Sequence, residues 1–229
     1  MSINELKTIA LFGGSFNPVH YGHLRLAIEV FEALKPDRFD FIPCAIPPHK
    51  SGFALLPFAL RVEMLREVCG EYPGFYVNPL EADREGASYT KDTLAEYKNS
   101  YPAADLYFVL GSEDYALLDT WKGWSIFPAL ATLLVVPRQG MEEAEFVEKT
   151  LRFWPQAEPM ENLPIFARLG YNNCGQGQVL YMPLPRLDIN ASLVRRRFLD
   201  GRKIDFWVPP AVIRALHTQE EAVEKHWTA

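Results

Sequence analysis

The chain has 229 residues, 48% hydrophobic and 23% charged, enough for one large domain or two small ones. Its formal charge of −6 argues against a general nucleic-acid binder, so any bound anion needs a local cationic cluster. Cys44, Cys69 and Cys174 are odd in number and form no CxxC pair, and no stretch resembles a signal peptide or approaches the ~18 apolar residues of a membrane span. A cytoplasmic protein with no membrane partner is expected, because such cysteines suit a reducing compartment.

Residues 7–12 (KTIALF) predict a buried strand. From Tyr21 to Leu34, apolar residues at Leu24, Ala27, Ile28, Phe31 and Leu34 make a helical stripe. FDFIP (39–43) predicts a second strand, and 58–69 a helix with Leu60, Met64, Leu65 and Val68 on one side. FYVNP (75–79) predicts a short third strand, and Thr90 opens a helix with Leu94 and Tyr97 inward. DLYFVLG (105–111) and TLLVVP (132–137) predict a fourth and a fifth strand. Residues 138–187 are less regular: a segment that turns helical, a turn or loop at NNCGQGQ (172–178), then a candidate strand, VLYM. SLVRRRFLDG predicts a short helix ended by Gly201, and PPAVIRALH a last one started by Pro209–Pro210. The alternation predicts an α/β fold, a Rossmann-like doubly wound parallel sheet of about five or six strands. Residues 1–187 form its core, and 188–229 a small helical subdomain packed on it as part of a single structural unit.

The first strand runs into LFGGSFNPVHYGH (11–23). This is neither GxGxxG nor a P-loop, and no GxxxxGK[ST] occurs anywhere. The setting still suits phosphate. Gly13 and Gly14 lack a Cβ, so a polyphosphate can lie against the backbone, and a helix N-terminus follows. His20 and His23, three apart, share one side of the first helical turn. From these residues alone, phosphate contact, a structural pair and a metal pair all stay open; zinc would need further ligands, and Glu29 and Cys44 are not at a typical spacing.

GGSFNPVHYGH resembles the signature of the HxGH nucleotidyltransferase superfamily, and within it the bacterial nicotinate-mononucleotide adenylyltransferases, whose pattern GG[ST]F[DN]P[IV]HxGH residues 13–23 fit throughout. Four more stretches resemble that family in order: IPPHK (46–50), ASYTKDTL (87–94), VLGSEDYALLDTWKGW (109–124) and INASLVRRR (189–197). The resemblance implies adenylyl transfer from ATP to nicotinate mononucleotide, giving deamido-NAD and pyrophosphate in NAD biosynthesis, with Mg²⁺ accompanying ATP and no metal ligands from the protein. It assigns His20, His23 and Arg195 to catalysis. ATP falls to Gly13, Gly14, Ser15, Phe16, Asn17, His20, His23, Gly111, Glu113, Ser192 and Arg195. The mononucleotide falls to Ser15, His49, Lys50, Thr90 and Trp121. Trp124 is read as packing, and Cys44 and Cys69 as core.

Two departures stand out. Asn190 and Ser192 occupy positions where the family has serine and threonine, and Gly111-Ser112-Glu113 replaces Gly-x-Asp with Asp114 next, so Glu113 or Asp114 takes the aspartate's contact. Ser192 is expected to cap the helix it starts, with Arg195 one turn on. Competing readings are the same chemistry on nicotinamide mononucleotide or phosphopantetheine, or a nucleotide-binding regulator without turnover. A homo-oligomer is compatible with the sequence.

Overall fold

Strand order departs from chain order at two points, and the first of them bears on where a ligand can sit. The computed structural model describes residues 6–48, 55–137, 141–185 and 187–228. The elements run β1 (Thr8–Gly14), α1 (Tyr21–Leu34), β2 (Arg38–Pro43), α2 (Phe58–Cys69), β3 (Phe75–Val77), α3 (Thr90–Ser100), β4 (Asp105–Gly111), α4 (Ser112–Ala116), α5 (Phe127–Leu130) and β5 (Thr132–Val136). They continue with α6 (Glu143–Phe153), β6 (Glu158–Pro159), β7 (Leu169–Cys174), β8 (Gly177–Tyr181), α7 (Ala191–Leu199), α8 (Pro210–Thr218) and α9 (Glu220–Thr228). The strand order is β3-β2-β1-β4-β5-β8-β7-β6. The sequence steps outward from β1 to β2 and β3, and in the other direction from β4 to β5; beyond β5 comes β8, with β7 and then β6 outside it. In open α/β sheets, the carboxyl ends of the two strands at such a reversal are where ligands bind.

The chain forms two compact units. The first holds Met1–Gly13, Glu29–Phe39 and Tyr89–Arg186; the second holds Gly14–Ile28, Asp40–Ser88 and Leu187–Ala229.

In the first unit, β1, β4, β5 and β8 pair in parallel, with Phe12 opposite Val109 and Gly111 opposite Val136. Ile9, Ala10, Leu11, Leu133, Leu134 and Val135 are all buried. Burial on both faces explains why these strands read as continuous apolar runs. On α6, Phe146, Thr150 and Phe153 are buried at helical spacing. The Thr150 hydroxyl lies 2.7 Å from the Tyr115 hydroxyl, and the Tyr115 ring stacks on Phe146 at 5.6 Å. Burial pushes the Tyr115 phenol up, so it stays neutral at any ordinary pH.

Among the described residues the sheet has eight strands, more than the five or six expected. The additions lie where the sequence is least periodic. NNCGQGQ is a hairpin: β7 and β8 pair antiparallel, joined by Gly175 (φ 56°) and Gln176 (φ 72°). Two successive left-handed residues match the twist that a two-residue hairpin turn demands. The two-residue strand β6 then pairs with β7. Neither polar β7 nor so short a β6 carries the period-2 signal that sequence reading needs.

In the second unit, α2 buries Leu60, Arg61, Met64, Leu65 and Val68 and packs on β3 and α8. Helices α7, α8 and α9 pack together. PPAVIRALH is not the last helix: α9 follows α8 after a single residue, burying Val223 and Trp227. Two apolar anchors in a charged segment are too few for a helical stripe to show.

Candidate active site

The signature turn belongs to the second unit from Gly14 onward. Phe16 adopts φ 44°, a left-handed conformation that costs a bulky residue free energy and persists only when its surroundings fix it. They do: its ring is 1% exposed and meets His23 at 5.0 Å and Phe41 at 5.8 Å, both edge-on. A Cβ at Gly14 would lie 3.1 Å from that ring, so glycine there lets the phenyl turn inward.

His20 and His23 are stacked, with ring centroids 3.7 Å apart and planes 25° from parallel. The His20 backbone N–H donates to His23 Nδ1 at 3.3 Å. An accepting Nδ1 leaves the proton of the neutral ring on Nε2, so His23 has its Nε2–H as a donor. Gly22 between them is required by close approach. A Cβ there would fall 2.9 Å from His20 Nδ1 and 2.9 Å from the Ile189 carbonyl, the start of the fifth motif.

Asn17 is the junction of the turn. Its Oδ1 accepts from Leu56 N–H at 3.1 Å and from the Trp227 indole N–H at 3.2 Å. Its backbone carbonyl accepts from Arg195 Nη1 at 2.8 Å. Arg195 Nη2 donates to Ser192 Oγ at 2.9 Å, and burial lowers the Arg195 pKa below the usual guanidinium value. Asn17 of the signature turn, Arg195 and Ser192 are therefore joined by hydrogen bonds, Asn17 and Arg195 lying 178 residues apart in the chain. One expectation is corrected. The N-cap of α7 is Asn190, whose Oδ1 accepts from Leu193 N–H at 2.9 Å. Ser192 lies inside the helix, so its hydroxyl is left for Arg195. The departure at Asn190 thus has a local role, since asparagine is among the best N-caps.

Sequence reading missed Arg61. Its side chain is 1% exposed, yet it carries a guanidinium. Nη1 donates to the Ser15 and Cys44 carbonyls, both at 2.8 Å, and Nε to the Leu56 carbonyl at 3.0 Å. Burial lowers its pKa to about 10, which leaves it charged at neutral pH. It ties the signature turn to the end of β2 and to the approach to α2. In sequence it is one more arginine on an amphipathic helix. The only hint is that it falls on the apolar side, between Leu60 and Met64–Leu65.

Also in the second unit, Ile46 N–H donates to Ser88 Oγ at 3.1 Å, and Ser88 N–H to the Ile46 carbonyl at 2.9 Å. This reciprocal pair joins the IPPHK stretch to the serine of SYT. His49 and Lys50 lie outside the described residues. In the first unit, Gly13 is the last residue but one of β1 and Gly111 closes β4, the neighbouring strand at the reversal of strand order. Glu113 and Asp114 are exposed in the first turn of α4. Thr90 is the first residue of α3 and half-buried. Trp121, also half-buried, meets Phe127 at 6.3 Å, and the neighbouring Lys122 ammonium sits 4.2 Å from the Tyr89 ring centre. Trp124, half-buried, packs against Phe153 and Trp154, in keeping with the packing role expected of it. Cys69 is buried, and burial pushes its thiol up to about 12.

Comparison with known proteins agrees with this arrangement. Residues 11–197 match the model of the cytidylyltransferase-like family. A protein of Thermus thermophilus named "Probable nicotinate-nucleotide adenylyltransferase" is 37% identical over 95% of this chain and 97% of its own. One of the same name from Citrifermentans bemidjiense is 35% identical over 94% and 98%. The Plasmodium falciparum nicotinic acid mononucleotide adenylyltransferase, solved with NaAD, superposes with a TM-score of 0.71 over 94% of this chain and 97% of that one at 18% identity, which supports the fold. With the strand order, the histidine turn and the arginine already in place, the chain belongs to the nicotinate-nucleotide adenylyltransferases of the cytidylyltransferase-like family.

Proposed function

We propose that this enzyme transfers the adenylyl group of ATP to nicotinate mononucleotide, giving nicotinate adenine dinucleotide and pyrophosphate, a step of NAD biosynthesis in the cytoplasm. The observation that carries the reading is that Arg195 bonds both Ser192 and the Asn17 carbonyl of the turn that bears His20 and His23, in a chain 37% identical to a relative of that name.

An oxygen of the acceptor phosphate attacks the α-phosphorus of ATP in line. A P–O bond forms, the bond from that phosphorus to the bridging oxygen breaks, and pyrophosphate leaves with the electron pair. The nucleophile is a phosphate monoester, already ionised at neutral pH, so no general base and no enzyme nucleophile are needed. What the protein supplies is alignment and donors for the developing charge. The Nε2–H of His23 and the guanidinium of Arg195 are assigned to the triphosphate, with His20 beside them and Ser192 as a further partner. Gly13, Gly14, Ser15, Phe16 and Asn17 supply the turn, and Gly111 and Glu113 the remaining nucleotide contacts. His49, Lys50, Thr90 and Trp121, with Ser15, are assigned to the mononucleotide. A pyridine ring stacked on indole is a stable arrangement.

ATP enters as its magnesium complex. The deciding experiment is pyrophosphate release with ATP and Mg²⁺, comparing nicotinate and nicotinamide mononucleotide. The acid should have the higher kcat/KM. Equal or better use of the amide would overturn the acceptor assignment.

A further inference from the structure

We infer that Trp227 is a positioning residue for the signature turn: its indole N–H holds the Asn17 side chain, and through Asn17 helix α9 sets the carbonyl on which Arg195 rests. The kinetic part of this inference rests on the adenylyl transfer proposed above; the structural part does not.

Three observations carry it. The indole Nε1 donates to Asn17 Oδ1 at 3.2 Å across 210 residues of chain, and both side chains are buried, at 8% and 5% exposure. The same Oδ1 accepts from Leu56 N–H, so the two lone pairs of the carboxamide oxygen each have a donor and its direction is fixed from two sides. The Asn17 backbone carbonyl is the acceptor for Arg195 Nη1. Both acceptors belong to one residue, so anchoring the carboxamide restrains the Cα from which the carbonyl that meets the guanidinium extends.

The indole itself is held. Its ring stands at 90° to Phe198 of α7 with centroids 5.5 Å apart, and Val223, one turn earlier on α9, is fully buried. Packing alone needs no indole, because any large apolar side chain would cover Phe198. The N–H is what packing does not explain. A buried indole N–H is a donor only, and it has been given the one residue of the turn that also carries Arg195. Asn17 lies inside the GGSFNP signature, whereas α9 lies beyond the last of the five motifs, at residues 189–197. The C-terminal helix thus acts on the reaction without touching substrate.

The test replaces Trp227 in the full-length protein with 3-benzothienylalanine, which keeps the bicyclic shape and lacks the N–H, alongside Trp227→Phe. Three quantities are read: amide exchange of residues 14–20 and 56 in the unliganded protein, melting temperature, and kcat and KM for ATP and nicotinate mononucleotide well below melting. For the benzothienyl protein we expect a nearly unchanged melting temperature and faster exchange at the Leu56 amide and across the turn. We expect kcat to fall about threefold to tenfold, the scale of one neutral hydrogen bond, with KM for the mononucleotide unchanged. Unchanged exchange in the benzothienyl protein overturns the inference, whatever the kinetics. Faster exchange with unchanged kcat also overturns it, because the contact would then be only structural. If the wild-type protein releases no pyrophosphate, the adenylyl-transfer reading fails, while the exchange measurement still judges the contact.

Discussion

The turn at Gly14–His23 and the segment at Gly111–Trp124 are held in place by different forces. The turn is fixed by polar groups that arrive from far along the chain: Arg61 on the Ser15 carbonyl, Leu56 N–H and the Trp227 indole on Asn17, and Arg195 on its backbone. The Gly111–Trp124 segment is fixed by rings. Tyr115 sits against Phe146 and Phe153, Trp121 against Phe127, and Trp124 against Phe153 and Trp154. Directional bonds fix a group to fractions of an ångström, which transition-state donors need. Ring packing fixes a surface, which is enough for a flat substrate to lie on. The difference predicts that substitutions in the turn lower kcat, and that substitutions in the aromatic segment raise KM.

The sharpest way to break the comparison is His23→Ala. It removes the Nε2–H donor and leaves the Phe16 ring with Phe41 but without its other edge-on neighbour. We expect kcat to fall by roughly 10²-fold or more, the scale for losing one transition-state donor. KM for the mononucleotide should hardly move. A variant with near-normal kcat would remove His23 from the reaction.

Next in size is Arg61→Met, which keeps length and removes the charge. Three carbonyls lose their donor together, that of Leu56 at a buried bond and those of Ser15 and Cys44 at partly buried ones. At about 1–3 kcal/mol for the buried group and less for the partly exposed ones, a loss of roughly 2 kcal/mol or more is expected in denaturant unfolding. Arg61→Lys should recover only part of it, because one ammonium cannot reproduce the guanidinium fork. If Arg61→Met unfolds at wild-type denaturant concentration, the turn is held by packing, and the contrast with the aromatic segment disappears.

The opposite arm is Trp121→Ala. We expect KM for nicotinate mononucleotide to rise about tenfold, equivalent to ~1.4 kcal/mol of lost stacking, with kcat at saturation within about threefold. A collapse of kcat with KM unchanged would place Trp121 with the turn instead.

How much of this could be read from sequence follows the same division. The central strands announced themselves, because double-sided burial makes TIALF, DLYFVLG and TLLVV continuously apolar. The turn also announced itself, because Gly14 and Gly22 answer to close approaches and the histidines to a spacing. What supports the turn did not. Arg61 and Trp227 act across tens to hundreds of residues, and no periodicity encodes such a pairing. Ser88, bonded reciprocally to Ile46, was passed over beside the threonine of SYT for the same reason. Helix capping failed by two residues at α7, because asparagine and serine both cap well, and only the backbone shows that Asn190 is the half-in position.

The smallest prediction concerns the other end of β1, where no chemistry is expected. Asp37 Oδ2 accepts from Lys7 N–H at 2.7 Å and Thr8 N–H at 2.9 Å, and Asp37 N–H donates to the Thr8 carbonyl. The Thr8 and Lys7 amides hold its carboxyl below the ordinary value of 3.8. A carboxylate with a depressed folded-state pKa stabilises the fold at all pH values above its unfolded pKa. That contribution is lost as pH falls through the folded pKa. Asp37→Asn should therefore lower stability at neutral pH, and the gap to wild type should close as the medium is acidified below about pH 4. The carboxyl faces water, so screening keeps the effect under about 1 kcal/mol. Kinetics give the discriminating readout. If β1 transmits position from its amino end to the turn at its carboxyl end, Asp37→Asn lowers kcat as well. The polar anchors of the turn all come from outside β1, so we expect kcat and both KM values to stay at wild type while only the acid unfolding curve moves.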